Sequence, residues 1–505
     1  MGSIWLEADD HEAAPPLVGR ARAEVAVVGA GITGLTAALW LQRAGASVTV
    51  LDRHGIASRT TGNTTAKVTV LHGLMYAELV GGRGEEVAGK YLAANLQAMR
   101  TVSELAAEMP DASELMRLPA YTYTLHEGGV ADVQAEADAL TRLGQAPTAT
   151  SETGLPYPVA AAVRLDDQLA IHPVRYCLGL RRAFLDAGGA IHERTNAIDV
   201  EDGAPCIVRT DHGELAADWV IVATLIPFTN HGWYAAKAEP SRSYAVLAHV
   251  GEQAADIGGM YLSADEPTRT LRPTPVGAET ALVLGGEGHP TGGEPNTLAR
   301  YEAIERWAND HFPVQHISHR WSAQDFASVD GLPFVGRLGS LDRVLVATGF
   351  KKWGLSNGTA AALALHGVIA SAPPDWADVY DSARSVVTKA PKEFAKHNLT
   401  AAKHLVGDRF RSRPDIEELS PGEGAIVDAD GRKAAVSRDD RGELRALSPI
   451  CTHLGCLVGW NDAERSWDCP CHGSRFDRDG AVLDGPATEP LAPVELTDSS
   501  GDQSA

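Results

Sequence analysis

Residues 23–52 read AEVAVVGAGITGLTAALWLQRAGASVTVLD, and the fold of the larger part of the chain turns on them. Ala23–Val28 is a short apolar run that reads as a buried parallel strand. It leads straight into Gly29-Ala30-Gly31-Ile32-Thr33-Gly34; Leu35–Ala44 has helix composition, and Gly45 stops it. Ser47–Leu51 is a second strand, with Asp52 at its carboxyl end. Strand, glycine-rich turn, helix, strand and acid in that order make a dinucleotide-binding β-α-β unit. Gly29 permits the tight turn, Gly31 lets the backbone approach a pyrophosphate, and Gly34 lets the helix pack closely on the strand. The free N–H groups at the helix start favour phosphate, and Asp52 can accept a hydrogen bond from a ribose hydroxyl.

Working outward, Thr60–Thr69 (TTGNTTAKVT) is a polar loop or a second contact segment for the dinucleotide. Met75–Met109 and Gly128–Leu143 have helix composition, with a strand at Tyr121–Leu125 between them. A helix over Tyr176–Ala187 is followed by strands at Ala190–Arg194, Ile198–Glu201, Cys206–Thr210 and Ala217–Thr224. A β-rich stretch holds Tyr244–Val250, Met260–Ser263, Thr268–Arg272 and Ala281–Gly285, and Thr297–His311 is helical. Leu284–Gly292 is glycine-rich, but no helix pattern follows it, so it is not a second nucleotide fingerprint. Arg343–Thr348 is a buried strand, GFKKWGLSNG (349–358) a loop, and Thr359–Ala370 an amphipathic helix. Pro373–Asp375 marks a boundary. Lys389, Lys392, Lys396, Lys403, Arg409, Arg411 and Arg413 then form a basic stretch, read as a solvated linker helix. From Glu417 onward short strands and turns indicate a small all-β module, with a frayed tail over Ser499–Ala505.

A chain of 505 residues is long enough for two to four domains. Its formal net charge of −22 repels phosphate backbones, which argues against a nucleic-acid partner. Met1–Arg22 has no basic start or apolar run of a signal peptide, and no stretch is apolar enough to form a transmembrane segment. With few cysteines elsewhere, a cytoplasmic location is expected.

Four of the six cysteines fall in one window near the C-terminus, in CTHLGC (451–456) and CPCHGS (469–474). Cys451, His453, Cys469 and His472 form C-x-H and C-x-x-H pairs. Two thiolates and two imidazoles suit a tetrahedral zinc site or a 2Fe–2S cluster with both His on one iron. The C-x-H half is unusual for zinc, and Gly455, Gly473 and Ser474 leave small loops able to offer N–H groups and a hydroxyl to cluster sulfurs. Cys177 and Cys206 lie outside the pattern and read as structural.

These two boxes resemble those of a Rieske 2Fe–2S domain, with Phe476 at its aromatic position and Gly485-Pro486-Ala487 as the loop covering the cluster. The resemblance implies that Cys451 and Cys469 ligate one iron and His453 and His472 the other, with a disulfide bond between Cys456 and Cys471. That disulfide places the domain near the cytochrome bc-complex type, with Ser474 raising a potential in the Rieske range of about −150 to +300 mV. Upstream, VAVVGAGITGLTAALWLQRAGASVTVLDR, TTGNTTAKVT, ADWVIVAT and VDGLPFVGR…VLVATGFKKWGLSNG resemble the FAD-dependent D-amino acid oxidase and glycine oxidase family. The fold class implied is α/β + β: a Rossmann-like FAD-binding domain with an antiparallel-sheet substrate domain, joined to a small all-β Rieske domain. The flavoprotein part is expected over 1–372, with FAD-binding parts at about 21–90, 160–232 and 325–372 and substrate parts at about 91–159 and 233–324. A helical, basic linker follows at 373–414 and the Rieske domain at 415–499. The resemblance assigns Gly29, Gly31 and Gly34 to the pyrophosphate and Asp52 to the adenosine ribose. Thr64, Thr65 and Lys67 would lie near the pyrophosphate or ring, and Gly349, Phe350, Trp353, Gly354 and Leu355 would border the ring or its side chain. The whole chain, including Ser3-Ile4-Trp5-Leu6 and KEFAKHNLTAAKHLVGD, is similar to a bacterial family that joins such a flavin domain to a C-terminal Rieske domain.

The implied activity is oxidation of a small-molecule substrate, at a C–N bond of an amino acid or amine or at a C–OH bond. Hydride passes to the flavin and electron transfer to the iron–sulfur centre follows singly, toward an external acceptor. An electron relay without its own substrate and a monooxygenase fed through the cluster are the alternatives. Arg242, Arg269 and Arg272 are candidates to pair a carboxylate, and Tyr261 to hydrogen-bond one. Gln324, Asp325 and Asp330 precede the ring-lining segment, and His72 and Lys351 are candidate proton handlers.

Overall fold

The computed structural model describes residues 2–8, 11–109, 114–407, 414–429 and 432–496. Arg409, Arg411, Arg413 and the tail from Ser499 lie outside the described residues.

The strand Gly19–Val28 is the centre of the first sheet. Val48–Leu51 pairs with it in parallel on one side, through Val25 and Val48, and Gly213–Val222 on the other, through Val25 and Trp219. Val344–Thr348 extends the sheet beyond Gly213–Val222, and Ala190–His192 extends it beyond Val48–Leu51. Four of these strands end at Val28, Leu51, Val222 and Thr348 and release their chains at the same edge, where open α/β sheets hold ligands.

Helices Ile32–Arg43, Gly354–Ile369 and Glu85–Glu108 pack into a layer over one face. The helix begins at Gly354, so its first turn takes in part of the expected 349–358 loop. Twelve of its sixteen residues are buried, so it is enclosed between neighbours rather than amphipathic; alanines at 360–362 and 364 permit that close approach.

The second sheet runs in the order His316–Ser328, Ala238–His249, Glu279–Pro290, Arg269–Val276, Met260–Ser263, Met116–Thr124, Ala161–Ala170, Lys67–Val68. Lys67–Val68 and Ala161–Ala170 belong to this sheet, and His316–Ser328 crosses the boundary set at 325. Glu85–Glu108, assigned largely to the substrate part, packs instead on the flavin-side helices.

The C-terminal module consists of two small antiparallel sheets, Gly424–Ala429 to Leu444–Leu447 and Gly459–Asn461 to Val482–Asp484. The basic helix Pro391–Gly407 keeps Lys392, Lys396 and Lys403 exposed to solvent, as expected, but is also docked along one edge. His397 is buried and its Nε2 pairs with Ala235 O at 3.1 Å, Asn398 Nδ2 donates to Ala236 O at 3.0 Å, and Cys471 Sγ lies 3.5 Å from Ala401 O. Among the described residues no helix is long and apolar enough to cross a membrane.

Candidate functional site

Two sites are built at the carboxyl edge of the first sheet and at the tip of the C-terminal module. At the first, Gly29 has φ +112°, and a Cβ there would lie 2.5 Å from Ala223 O. A Cβ at Gly34 would lie 1.9 Å from Gly29 O, so only glycine lets the helix sit this close to the turn. Both Asp52 carboxylate oxygens brace this edge: Oδ2 accepts from Ala30 N at 2.7 Å and Oδ1 from His54 N at 2.8 Å and Gly55 N at 3.0 Å.

From this edge a cavity of about 740 Å³ extends between the two sheets. Gly29, Gly31, Asp52, Thr64, Thr65, Lys67, Phe350, Trp353, Gly354 and Leu355 all line it. Gly34 and Gly349 stand behind the lining. The glycine-backed turn, open helix start and elongated volume fit a dinucleotide such as FAD. Leu284–Gly292, set aside above, falls largely in the strand Glu279–Pro290, and its Gly286, Gly288 and His289 line the far wall.

The proton and carboxylate candidates are redistributed. Arg272 is fully engaged outside the lining, donating to Ala66 O, Ile171 O, Pro273 O and Thr274 Oγ1 beneath the Trp5 ring. Arg269 pairs with buried Glu287 at 2.6 Å. Arg242 reaches Glu464 of the C-terminal module at 2.7 Å. Tyr261 is stacked on Tyr121 and donates to Ile257 O, and Asp330 is held by Arg83 and Arg384. His72 also lies outside the cavity. Its Nδ1 pairs with Tyr91 Oη at 2.7 Å and its Nε2 with Thr69 O at 2.8 Å; burial pushes it down to about 3, and it braces Trp353 by stacking at 4.3 Å. Lys351 contributes to the lining, but its Nζ turns to Glu78 at 3.2 Å.

Half-buried Lys67, exposed Lys352 and buried Asp325 are charged groups that do line the cavity. Lys67 Nζ donates to Tyr261 O at 2.9 Å and to Thr270 Oγ1; burial, reinforced by Arg272, lowers it to about 7. Burial pushes Asp325 up to about 6, against the Lys352 N–H that its carboxylate accepts. Lys352, at φ +70°, is lowered by desolvation. Lys352 and Thr270 went unrecognised in sequence; the Lys351-Lys352 doublet before a helix was the available signal.

At the second site the two Cys/His boxes adopt one and the same turn. Cys451 N donates to Cys456 O and Gly455 N to Cys451 O; Cys469 N donates to Ser474 O and Gly473 N to Cys469 O. Gly455 and Gly473 have φ of +78° and +77°, which explains the glycine four residues after each cysteine. Cys451 and Cys469 are buried and free, and Cys456 and Cys471 are disulfide-bonded, joining the loops. The His453 and His472 rings lie 5.1 Å apart. His453 Nε2 pairs with Asn230 Oδ1 at 3.3 Å, while its buried Nδ1 has no hydrogen-bond partner among the described residues. That unpartnered nitrogen beside two buried thiols fits a ligand of a 2Fe–2S cluster. The Cys451 thiol is lowered to about 7, chiefly by Cys469, with the His453 and Leu454 N–H groups and the Ser474 hydroxyl also turned toward it.

The module makes direct contacts with the flavin side. Gln324 Nε2 donates to Gly473 O at 2.7 Å, and Thr297 Oγ1 to Asn461 Oδ1 at 2.7 Å. A Cβ at Gly292 would lie 2.7 Å from Pro470 N, and one at Gly473 would lie 2.5 Å from Pro240 Cβ.

Comparison with known proteins assigns both parts of the chain to families. Residues 24–366 match the family described as FAD dependent oxidoreductase, and residues 414–495 match the Rieske [2Fe-2S] domain. A Bacillus subtilis (strain 168) protein named for a Rieske 2Fe-2S centre, YhfW, is 34% identical over 98% of this chain and 97% of its own length. The cytochrome b6-f complex iron-sulfur subunit 2 of the Cyanophora paradoxa cyanelle is 39% identical over 95 residues, covering 18% of this chain and 39% of that subunit. Glycine oxidase from Geobacillus kaustophilus superposes with a TM-score of 0.61 at 15% identity, over 72% of this chain and 99% of that one.

Proposed function

Because the chain belongs to the FAD-dependent oxidoreductase family and carries a C-terminal Rieske [2Fe-2S] domain, we propose that it oxidises a small amine or amino acid at the flavin cavity and passes the electrons singly through the iron–sulfur centre to an external one-electron acceptor. When bound, FAD supplies a hydride acceptor and the cluster a one-electron carrier.

One observation carries the reading: adjacent residues of the strand His316–Ser328 touch both sites. Asp325 lines the cavity and accepts the Lys352 N–H, while Gln324 donates to Gly473 O in the box that holds Cys469 and His472. At the cavity, Lys67 is the group placed to take a proton from a substrate ammonium. It is half-buried, lowered to about 7, and held by Tyr261 O and Thr270 Oγ1. With Arg242, Arg269 and Arg272 engaged elsewhere, Lys352 is the cation left at this end to meet a carboxylate.

The test is anaerobic addition of a panel of amino acids and secondary amines, followed by flavin absorbance. Bleaching by one class supports the proposal. Bleaching only by a reduced protein partner identifies a relay, and an oxygen-insertion product under air identifies a monooxygenase; either outcome overturns it.

A further inference from the structure

The Rieske module does more than sit on the flavin part. Its last hairpin strand, Val482–Asp484, reaches the edge of the dinucleotide cavity, and Leu483, Asp484 and Gly485 are part of the lining. Leu483 O is met by two flavin-side groups, His54 Nε2 at 3.2 Å and Arg59 Nη2 at 3.0 Å. His54 is two residues beyond Asp52, the residue at the ribose position of the β-α-β unit, and Thr195, Asn196 and Ala197 line the same region. This is therefore the adenosine end of the cavity, away from the Phe350–Leu355 end.

Charge is shared across the same boundary. Asp484 acts on Arg53 and on Arg59, both cavity-lining, and is itself held low against burial by Arg59 and Arg475. Of its carboxylate oxygens, Oδ2 accepts from Arg475 Nη1 at 2.9 Å. Arg59 Nε is buried and has no partner among the described residues. Without Asp484, the adenosine end would hold two partly buried guanidiniums against Asp52 and Asp211.

We propose that the Rieske domain supplies part of the FAD site: Leu483–Gly485 closes its adenosine end, and Asp484 balances Arg53 and Arg59 there, so that the dinucleotide is held by both domains at once. The segment continues two residues on to Ala487, whose N–H donates to Ser474 Oγ at 3.0 Å beside the cluster ligands. One short stretch thus borders both cofactor sites.

The test uses the full-length holoprotein and Asp484→Ala, with Asp479→Asn, an exposed acid on the preceding turn, as the control. FAD affinity is read by recovery of flavin fluorescence on dilution, and the reduced-cluster EPR signal reports whether the Rieske fold is retained. Asp484→Ala is expected to weaken FAD binding by roughly tenfold with the EPR signal intact, because Arg53 and Arg59 lose the counter-charge that holds them in place at the adenosine end. Asp479→Asn is expected to leave both unchanged. Wild-type FAD affinity in an Asp484→Ala chain with an intact cluster overturns the proposal. Should that variant fail to fold, hydrogen–deuterium exchange on the unsubstituted protein decides: amides of 482–487 exchange faster after FAD removal if the proposal holds, and at the same rate if it is wrong. Wild-type protein purified without flavin would contradict the FAD assignment itself, a separate failure from these.

Discussion

Glu464→Leu should uncouple the Rieske module from the flavin part. Glu464 projects from the module between Arg242 of the second sheet, at 2.7 Å, and Arg475, at 2.6 Å. Arg242 is 1% exposed, and its Nε and Nη1 already lack partners among the described residues, so Glu464 is its principal counter-charge, helped by Ser322 Oγ. Arg475 keeps Asp468 and Asp484, so the loss falls on Arg242. Burial alone would raise the Glu464 carboxyl; the guanidiniums of Arg242 and Arg475 outweigh it and hold it at about 2 against an ordinary 4.5. That depression corresponds to about 3 kcal/mol, close to the ~3–5 kcal/mol lost when one partner of a buried pair is removed. Since the folded value is depressed, the stabilisation is present above pH 4.5 and is lost as pH falls toward 2. Urea unfolding followed by cluster absorbance should show Glu464→Leu destabilised by about 3 kcal/mol at pH 7, with the gap closing in acid. Arg242→Met with Glu464→Leu should recover much of it, because two apolar side chains can replace a buried pair at little cost. A loss below about 1 kcal/mol in the single variant, the scale of a surface ion pair, would refute the reasoning.

Other outcomes follow from single atoms. Gly34→Ala should yield flavin-free protein, since its Cβ would meet Gly29 O at 1.9 Å and backbone cannot yield as a core side chain does; the flavin-to-protein absorbance ratio checks it. Gly455→Ala and Gly473→Ala share a strained positive φ, but only the second also meets Pro240, so cluster bleaching on heating should be clearly earlier for Gly473→Ala. Turnover of an accepted amine should rise with pH through about 7 as Lys67 loses its proton; Lys67→Met should remove that limb and lower turnover by roughly a hundredfold.

The parts of the fold set by local pattern were legible in the residues. The β-α-β unit and the two Cys/His boxes each carry their chemistry within a few turns of chain, and the strands Cys206–Thr210 and Met260–Ser263 stand as read. The strand His316–Ser328 was not legible. Its sequence, HISHRWSAQDFAS, has no clean apolar alternation, because several of its polar side chains answer partners far away, such as Glu305 for Arg320 and Gly473 for Gln324. The same cause hid the docking of the basic helix, whose His397 and Asn398 find backbone carbonyls at 235 and 236. The arginines of the β-rich stretch were likewise candidates to pair a carboxylate, whereas Arg272 is consumed by backbone carbonyls and Lys67 and Lys352 line the cavity instead. Leu483 carried no sequence signal, since it acts through its backbone oxygen.

The central claim is that electrons taken from substrate at the flavin cavity enter the Rieske centre within the same chain. Freeze-quench EPR after anaerobic mixing of oxidised holoprotein with a flavin-bleaching amine or amino acid tests it most directly. The account predicts that the reduced-cluster signal grows as flavin absorbance falls, up to one electron per cluster, and grows more slowly in Gln324→Leu. A fully bleached flavin beside a cluster that stays oxidised would contradict it.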